Sequence, residues 1–460
     1  MKEKIKRLKE NIEFKDVIIF IIPLVTYLMV LAIFFPGMLS YDSFDQLNQI
    51  ATNQFNNWHP FLHTFIEKVC MKVWNTPASV GVFQILFFSI LWAVICKYNR
   101  KKNTKKEFIF QIIVTFFIVL NPLNSFYSIT LWKDVLFGYM FLLFCFLLEI
   151  LIDRKYQVSP KFIALLGFVI AIISKLRHNG LYALIIFLVI LMSIFLLKKN
   201  WKFCLLIVTS FIVSMTLFYG LEIAYNVKHI KNTLVEVKIM HALAYYNEEN
   251  ILSKKEKDII SNVVDLKEMH DNFNKYYSDA LATKLNLVKA QEYKSDLMKI
   301  LIQKSLKHPL VLIRYVLDSA NMTWSIVRPN NAVGTLVFLQ LDDSPNNVTG
   351  ITHVNKGKGI YKNAQQIVLR SMYQKFPQTI LYSGALYLYS SIILVAALII
   401  TKKSLKFLLL IIPNLLNTII IAASTPIQDI RYIYPNYLIL YLILIIFIGN
   451  YSRKKETIES

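Results

Sequence analysis

Apolar residues along this chain gather into runs of roughly 15 to 22 residues, broken by short charged segments. A helix rises about 1.5 Å per residue, so about 20 apolar residues cross the hydrocarbon of a bilayer. The runs at 16–35, 79–96, 108–120, 134–152, 162–176, 181–197, 203–221, 379–399, 407–421 and 436–450 therefore predict about ten membrane-spanning helices. The third, fifth and ninth of these are short. Buried helices of soluble proteins are also apolar, but they are usually shorter and rarely recur so often. The first run follows a lysine-rich start and lacks a small-residue cleavage site. It is expected to be a retained span, with the N-terminus in the cytoplasm.

The segments between the runs divide the chain into an N-terminal membrane module (1–225), an extracytoplasmic, mainly helical domain (226–377) and a C-terminal membrane module (378–460). The 36–78 loop holds two candidate amphipathic helices. One starts near Ser43 and runs to about Thr52. The other follows Pro60, with Phe61, Leu62, Phe65, Ile66 and Val69 as an apolar stripe. In the large segment, helices are expected over 232–247, 252–266, 291–306 and 309–324. Ser253 caps the second, with Glu256 completing a capping box. The stretch 325–360 is rich in Asn, Gly, Pro and Asp and is expected to be irregular.

Composition agrees with this picture: 55% of residues are hydrophobic and the formal charge is +22. In a soluble chain so basic a balance points to nucleic acid. Here the charge sorts by topology, because the 97–106, 153–161 and 198–202 loops and both chain ends fall on one side. By the positive-inside rule that side is the cytoplasm. The long 226–377 segment has no vote in this, and anionic head groups explain the basic rims. The four cysteines, Cys70, Cys96, Cys145 and Cys204, build neither a disulfide framework nor a thiolate metal site.

Polar groups are costly near hydrocarbon. Five polar clusters nevertheless sit at span ends: 36–46, 58–64, 130–134, 175–180 and 425–435. The charge-derived topology puts all five on the extracytoplasmic side, which predicts one composite site there. Asp42 and Asp45 would share a helix face. A carboxylate there can accept a proton from a hydroxyl or bind a divalent cation, with Asp42, nearest the span end, expected to be the better base, while the plainer reading is a helix cap by Ser40, Asp42 or Ser43. His59 and His63 stand four apart, but Pro60 breaks any zinc-hydrolase pattern. They suit orientation of a phosphate or sugar hydroxyl, or a structural place in the loop. Lys133 and Asp134 open a span, as an interfacial anchor or a charged pair in a cavity mouth. Arg177, His178 and Asn179, with Lys175, crowd a short turn, and Arg177 offers a rigid fork for phosphate. Asp429, Arg431 and Tyr432 form the last group, in which Asp429 and Arg431 pair with each other or meet substrate. Glu222 is a weaker candidate.

With PGMLSYDSFDQ, WHPFLHT, LWKDVLF, LRHNG and DIRYIYP in this order, the chain resembles the GT-C superfamily of multi-span glycosyltransferases. More narrowly it is similar to bacterial membrane families beside the protein O-mannosyltransferase-like enzymes. The resemblance implies an all-α GT-C fold and transfer of a sugar from a polyprenyl-phosphate donor, such as undecaprenyl phosphate, to a cell-envelope glycan, lipid or protein. It maps the catalytic acid of the first outer loop to Asp42 or Asp45, and a second acid to Asp134. Basic holders of the lipid phosphate map to Lys133, Arg177 or Arg431. The family's paired-acid signature is replaced here by DSFD, which leaves dependence on a divalent cation (Mg or Mn, at Asp42, Asp45 or Asp134) open.

Inverting transfer at the outer leaflet of the bacterial cytoplasmic membrane, with both termini cytoplasmic, is the expectation. Competing readings are an O-antigen-like polymerase or ligase with a pyrophosphate-linked donor, a lipid or polysaccharide flippase or transporter, and a scaffold. A transporter predicts inverted repeats and mid-membrane polar residues, and neither is evident.

Overall fold

The computed structural model describes residues 12–100, 103–231, 233–330, 332, 347, 350–424 and 429–459. The side chains of His178 and Asn179 lie outside the described residues, as does the 425–428 part of the last polar cluster. Helix α1 (Phe14–Ile33) is followed by two short helices, α2 (Tyr41–Thr52) and α3 (Phe61–Val73). Then come α4 (Ala78–Asn99), α5 (Lys105–Leu120), α6 (Pro122–Tyr127), α7 (Lys133–Asp153), α8 (Pro160–Leu176), α9 (His178–Leu197) and α10 (Trp201–Ala224). A cluster of shorter helices succeeds them: α11 (Leu234–Glu248), α12 (Lys254–Ile260), α13 (Leu266–Asp271), α14 (Asp279–Ala282), α15 (Leu287–Glu292), α16 (Lys294–Lys307), α17 (Pro309–Ser319) and α18 (Asn321–Trp324). The chain closes with α19 (Gly359–Tyr373), α20 (Lys375–Tyr382), α21 (Gly384–Lys402), α22 (Ile412–Ser424) and α23 (Tyr434–Glu459). Among the described residues there is no strand, only isolated bridges.

Among the described residues seven helices are long and apolar enough to cross a membrane: α1, α4, α7, α9 from Gly180, α10, α21 and the run Ile430–Asn450. The protein is thus a polytopic membrane protein. The three remaining expected spans fall on the shorter helices α5, α8 and α22, of 16, 17 and 13 residues. Two expected spans are interrupted. The 379–399 run breaks at Ser383, whose hydroxyl caps α21 by accepting from Leu386 N. The 407–421 run starts as a 3-10 helix over Leu405–Leu410 before α22.

Helix α7 is buried along nearly its whole length and packs against α4, α8 and α23. Lipid tails are as apolar as leucine, so contact between spans rests on close packing and polar links more than on the hydrophobic effect. Gly138 on α7 provides such a contact: a Cβ there would stand 2.7 Å from the Tyr434 ring. Outward faces of the bundle carry bare apolar side chains, such as Leu217 and Ile223 on α10.

The cluster α11 to α17 has its own core, with Met240, Leu243, Tyr246, Ile260, Met269 and Leu297. The Ser253–Glu256 capping box forms as expected. The expected helices break sooner than their patterns imply: the second stops at Ile260, and Ala320 separates α17 from α18. The 325–360 stretch is described only in part. Helices α19 and α20 place Tyr361, Val368 and Tyr382 in the core of the bundle, not in that of the domain.

Candidate active site

In α2 the cap is Ser40, not an aspartate. Ser40 Oγ accepts from Ser43 N, and Ser43 Oγ accepts from Ser40 N at 3.0 Å. The cap is itself anchored, because Ser43 Oγ donates to Leu131 O at 2.8 Å and Trp132 Nε1 donates to Ser40 Oγ at 2.6 Å. The start of α2 is thereby pinned to the start of α7. Asp42, freed from capping, points at two cations. Lys133 Nζ donates to its Oδ2 at 3.2 Å, and Arg431 Nη1 donates to the same oxygen at 2.8 Å. Burial alone would raise the Asp42 carboxyl, but Arg431, Lys133 and His59 hold it well below the usual carboxylate range.

The network runs on from both cations. Lys133 Nζ lies 3.3 Å from His59 Nδ1. An ammonium has only donors, so Nδ1 must accept and the ring proton sits on Nε2. That nitrogen faces Asp45 Oδ2 at 3.5 Å. His59 is kept neutral, pushed down to about 4 by burial and by Lys133. Asp45 shares a face with Asp42, as the spacing predicts, but its side chain is 43% exposed. Its carboxyl is raised by burial and by Asp42, while a hydrogen bond from Gln49 (2.8 Å) works the other way.

Deeper in, Arg431 Nε stands 2.9 Å from Asp429 Oδ2 and 3.8 Å from Asp134 Oδ2. Asp134 is fully buried and also faces Arg177 Nη1 at 3.2 Å, yet neither of its oxygens accepts a hydrogen bond among the described residues. Arg177 donates to Tyr432 O at 3.0 Å and stacks on the Tyr432 ring at 4.2 Å. Arg431 lies over Trp132 at 4.8 Å. Asp429 is raised to about 6 by burial, against the pull of Arg431.

Asp42, Asp45, His59, Lys133, Asp134, Arg177, Asp429, Arg431 and Tyr432 therefore converge from five separate segments. His63 does not join them. It lies fully buried in α3, its Nδ1 3.0 Å from the Gln46 amide and 3.6 Å from Glu67, and burial pushes it down to about 3. The predicted apolar stripe on α3 is only partly the buried face: Phe61 and Leu62 are buried with His63, Thr64 and Glu67, whereas Val69 is 45% exposed. Lys175 leaves the centre to pair with Glu222 at 2.8 Å. His178 and Asn179 open α9 beside Arg177, with their side chains outside the described residues.

Sequence reading missed Gln46 and Glu67. An acid four residues after His63, beside buried neighbours, was the available signal. The sequence places the 226–377 domain at the acceptor site but does not single out the residues of it that come near this centre. Asp279 is raised by burial and lies in the field of Arg431, and its carboxylate accepts from Tyr277 OH at 2.8 Å.

Three cations and four carboxylates gather here: Lys133 and Arg431 pair with Asp42, Arg177 with Asp134 and Arg431 with Asp429, while Asp45 faces the neutral His59. Among the described residues no three His, Cys, Asp or Glu side chains form a metal-holding group. Asp42 and Asp134 each face two side-chain cations, so the donor set does not fit a divalent ion at either.

Fold and site define a polytopic membrane protein with an ionic centre sunk into one end of its helix bundle. The chain belongs to the family described as "Family of unknown function (DUF6020)", which it matches over residues 57–297, or 241 (297 − 57 + 1) of its 460 residues. That span contains His59, Lys133, Asp134 and Arg177, while Asp42, Asp45 and Arg431 lie beyond it. No curated protein and no solved structure matches the chain.

Proposed function

We propose that the protein is a lipid-linked glycosyltransferase of the GT-C type, working at the extracytoplasmic face of the cytoplasmic membrane. The supporting observation is the ionic centre itself. Asp42 of the first loop meets Lys133 and Arg431, and Asp134 at the start of α7 meets Arg177, at the end of the bundle where the polar span ends gather. A sugar on a polyprenyl monophosphate would enter from the membrane, and its phosphate would meet these cations.

In the transfer, the acceptor hydroxyl oxygen attacks the anomeric carbon as the bond from that carbon to the phosphate oxygen breaks. The electron pair leaves with the phosphate, where Lys133 and Arg431 stabilise the developing charge. The hydroxyl proton goes to a carboxylate, and Asp45 is the better acceptor. Its carboxyl is raised and open to solvent, whereas Asp42 is clamped by two cations and so is weakly basic. Asp42 instead holds Lys133 and Arg431 in register. Tyr277 and Asp279, close enough to feel Arg431 and Asp429, would help shape the acceptor side.

The test is transfer of labelled sugar from a polyprenyl-phosphate donor by purified protein, with acceptors from a cell-envelope extract. Asp45→Asn should lower turnover by about 100-fold or more, the usual worth of a general base. Wild-type protein that binds the donor but neither transfers nor hydrolyses it across the acceptor pool would sink the reading, in favour of a flippase. Turnover only of pyrophosphate-linked oligosaccharide would favour the polymerase or ligase.

A further inference from the structure

A second cleft, of about 420 Å³, opens where α10 ends and the first loop passes over it. Its polar lining is Lys68, Lys228, Asn53, Gln54 and Asn226, with no carboxylate among the lining residues. Lys68 does not trail into solvent. Its ammonium rests over the rings of Phe55 (4.7 Å) and Tyr225 (4.9 Å) and donates to Asn53 Oδ1 at 2.6 Å. The rings are fixed in turn by edge contacts with each other and with Phe61. Lys228 is set in place by backbone pairing: its N donates to Phe55 O at 2.9 Å, and its O accepts from Asn57 N at 3.0 Å.

Charge balance separates this cleft from the ionic centre. There every cation has a carboxylate; here, among the described residues, neither lysine pairs with one. One caged ammonium (Lys68), a second lysine on a backbone-pinned segment (Lys228) and three side-chain amides in a concave site favour an anion with several acceptor oxygens. Scattered surface lysines would be solvated, with no cage and no cleft. The anion's source follows from what lies below. Helix α10 leaves Ile212 and Ile223, about three turns apart on one side, 55% and 60% exposed, an apolar face leading from the cleft into the bilayer. An anion at the top of that face can carry a hydrocarbon chain along it.

We propose that this cleft binds the phosphate of a membrane lipid, whose chain lies along the exposed face of α10. The assignment does not depend on sugar transfer. It does connect to the ionic centre, since Asn56 N, next to Phe55, donates to Gln49 Oε1 at 3.0 Å and Gln49 in turn bonds Asp45. An occupied cleft therefore braces the loop that carries Asp45.

The experiment uses the full chain in phosphatidylcholine nanodiscs, titrated with phosphatidic acid and read by native mass spectrometry. The double variant Lys68→Gln/Lys228→Gln should bind phosphatidic acid about tenfold or more weakly, the scale of lost charge-assisted hydrogen bonds. Lys68→Arg, which keeps charge and ring contact, should bind as wild type does, and Lys257→Gln, on α12 and outside both sites, should leave binding unchanged. Equal affinity for wild type and a double variant of unchanged Tm overturns the site. Inorganic phosphate supplies the other arm. Binding about tenfold or more weaker than that of phosphatidic acid supports a lipid occupant, because the chain then contributes its own burial. Equal binding assigns the cleft to a soluble phosphate and overturns the lipid part.

Discussion

Arg431 touches Asp42, Asp429 and Asp134 at once; when it is removed Asp42 keeps Lys133 and Asp134 keeps Arg177, but the buried Asp429 loses its counter-charge. Breaking such a cluster typically costs about 3 to 5 kcal/mol, so Arg431→Met should sharply lower Tm in detergent. Adding Asp429→Asn should restore part of it, a rescue that simple loss of side-chain volume would not allow. Asp42 and Asp45 should separate in the transfer assay. Asp45→Asn removes the proton acceptor, whereas Asp42→Asn leaves Lys133 and Arg431 more open to phosphate and should change donor affinity more than Asp45→Asn does. The buried histidines set an acid limit. His59 and His63 are pushed down to about 4 and about 3, against about 6.5 in an unfolded chain. Below that unfolded value the unfolded chain takes up protons that the folded one refuses. Stability is therefore full above it and is lost as pH falls toward the folded values. Tm should fall between pH 7 and pH 5, and His63→Gln should flatten the slope; an unchanged slope would refute this account of His63.

At the scale of elements, the centre depends on where α7 and α23 meet. Asp134 opens α7 and Arg431 precedes α23, so the spacing of these two helices sets the ionic distances. Gly138 permits that spacing, since a Cβ would meet the Tyr434 ring. Gly138→Val should cost about 1 to 3 kcal/mol from overpacking and should also lower transfer activity without touching a charged group. Activity retained at full level would show that the centre tolerates a wider gap. The existence of these helices is written in their hydropathy, but their breaks are less so. Ser383 divides an apolar run because its hydroxyl, once placed, caps α21 better than the chain continues. Helix α3 was legible as amphipathic, yet its buried side holds His63 and Glu67. Periodicity says which residues share a face; it does not say that a polar partner such as Gln46 waits opposite.

At the scale of the whole molecule, α7 and α23 bring their N-terminal ends to the ionic centre and α8 brings its C-terminal end, carrying Asp134, Arg431 and Arg177. Single-cysteine variants in a background without native cysteines test the sidedness proposed here. Lys257→Cys, on α12, should react in intact cells with a membrane-impermeant maleimide, and Lys199→Cys should react only after lysis. The reverse pattern would place the centre in the cytoplasm. Hydropathy by itself determined that this is a many-span, all-helical membrane protein, because spanning demands long apolar runs whatever their neighbours. The polar residues at span ends named nearly every member of the centre, since the cost of placing charge there makes such residues conspicuous. Who pairs with whom was decided only by the tertiary structure. Asp42 and Arg431 are 389 residues apart and meet at 2.8 Å. Such a meeting depends on how helices pack, and no local pattern encodes it. The same holds for the lysines above α10: sequence counts charges, but only folding shows that, among the described residues, Lys68 and Lys228 meet no carboxylate.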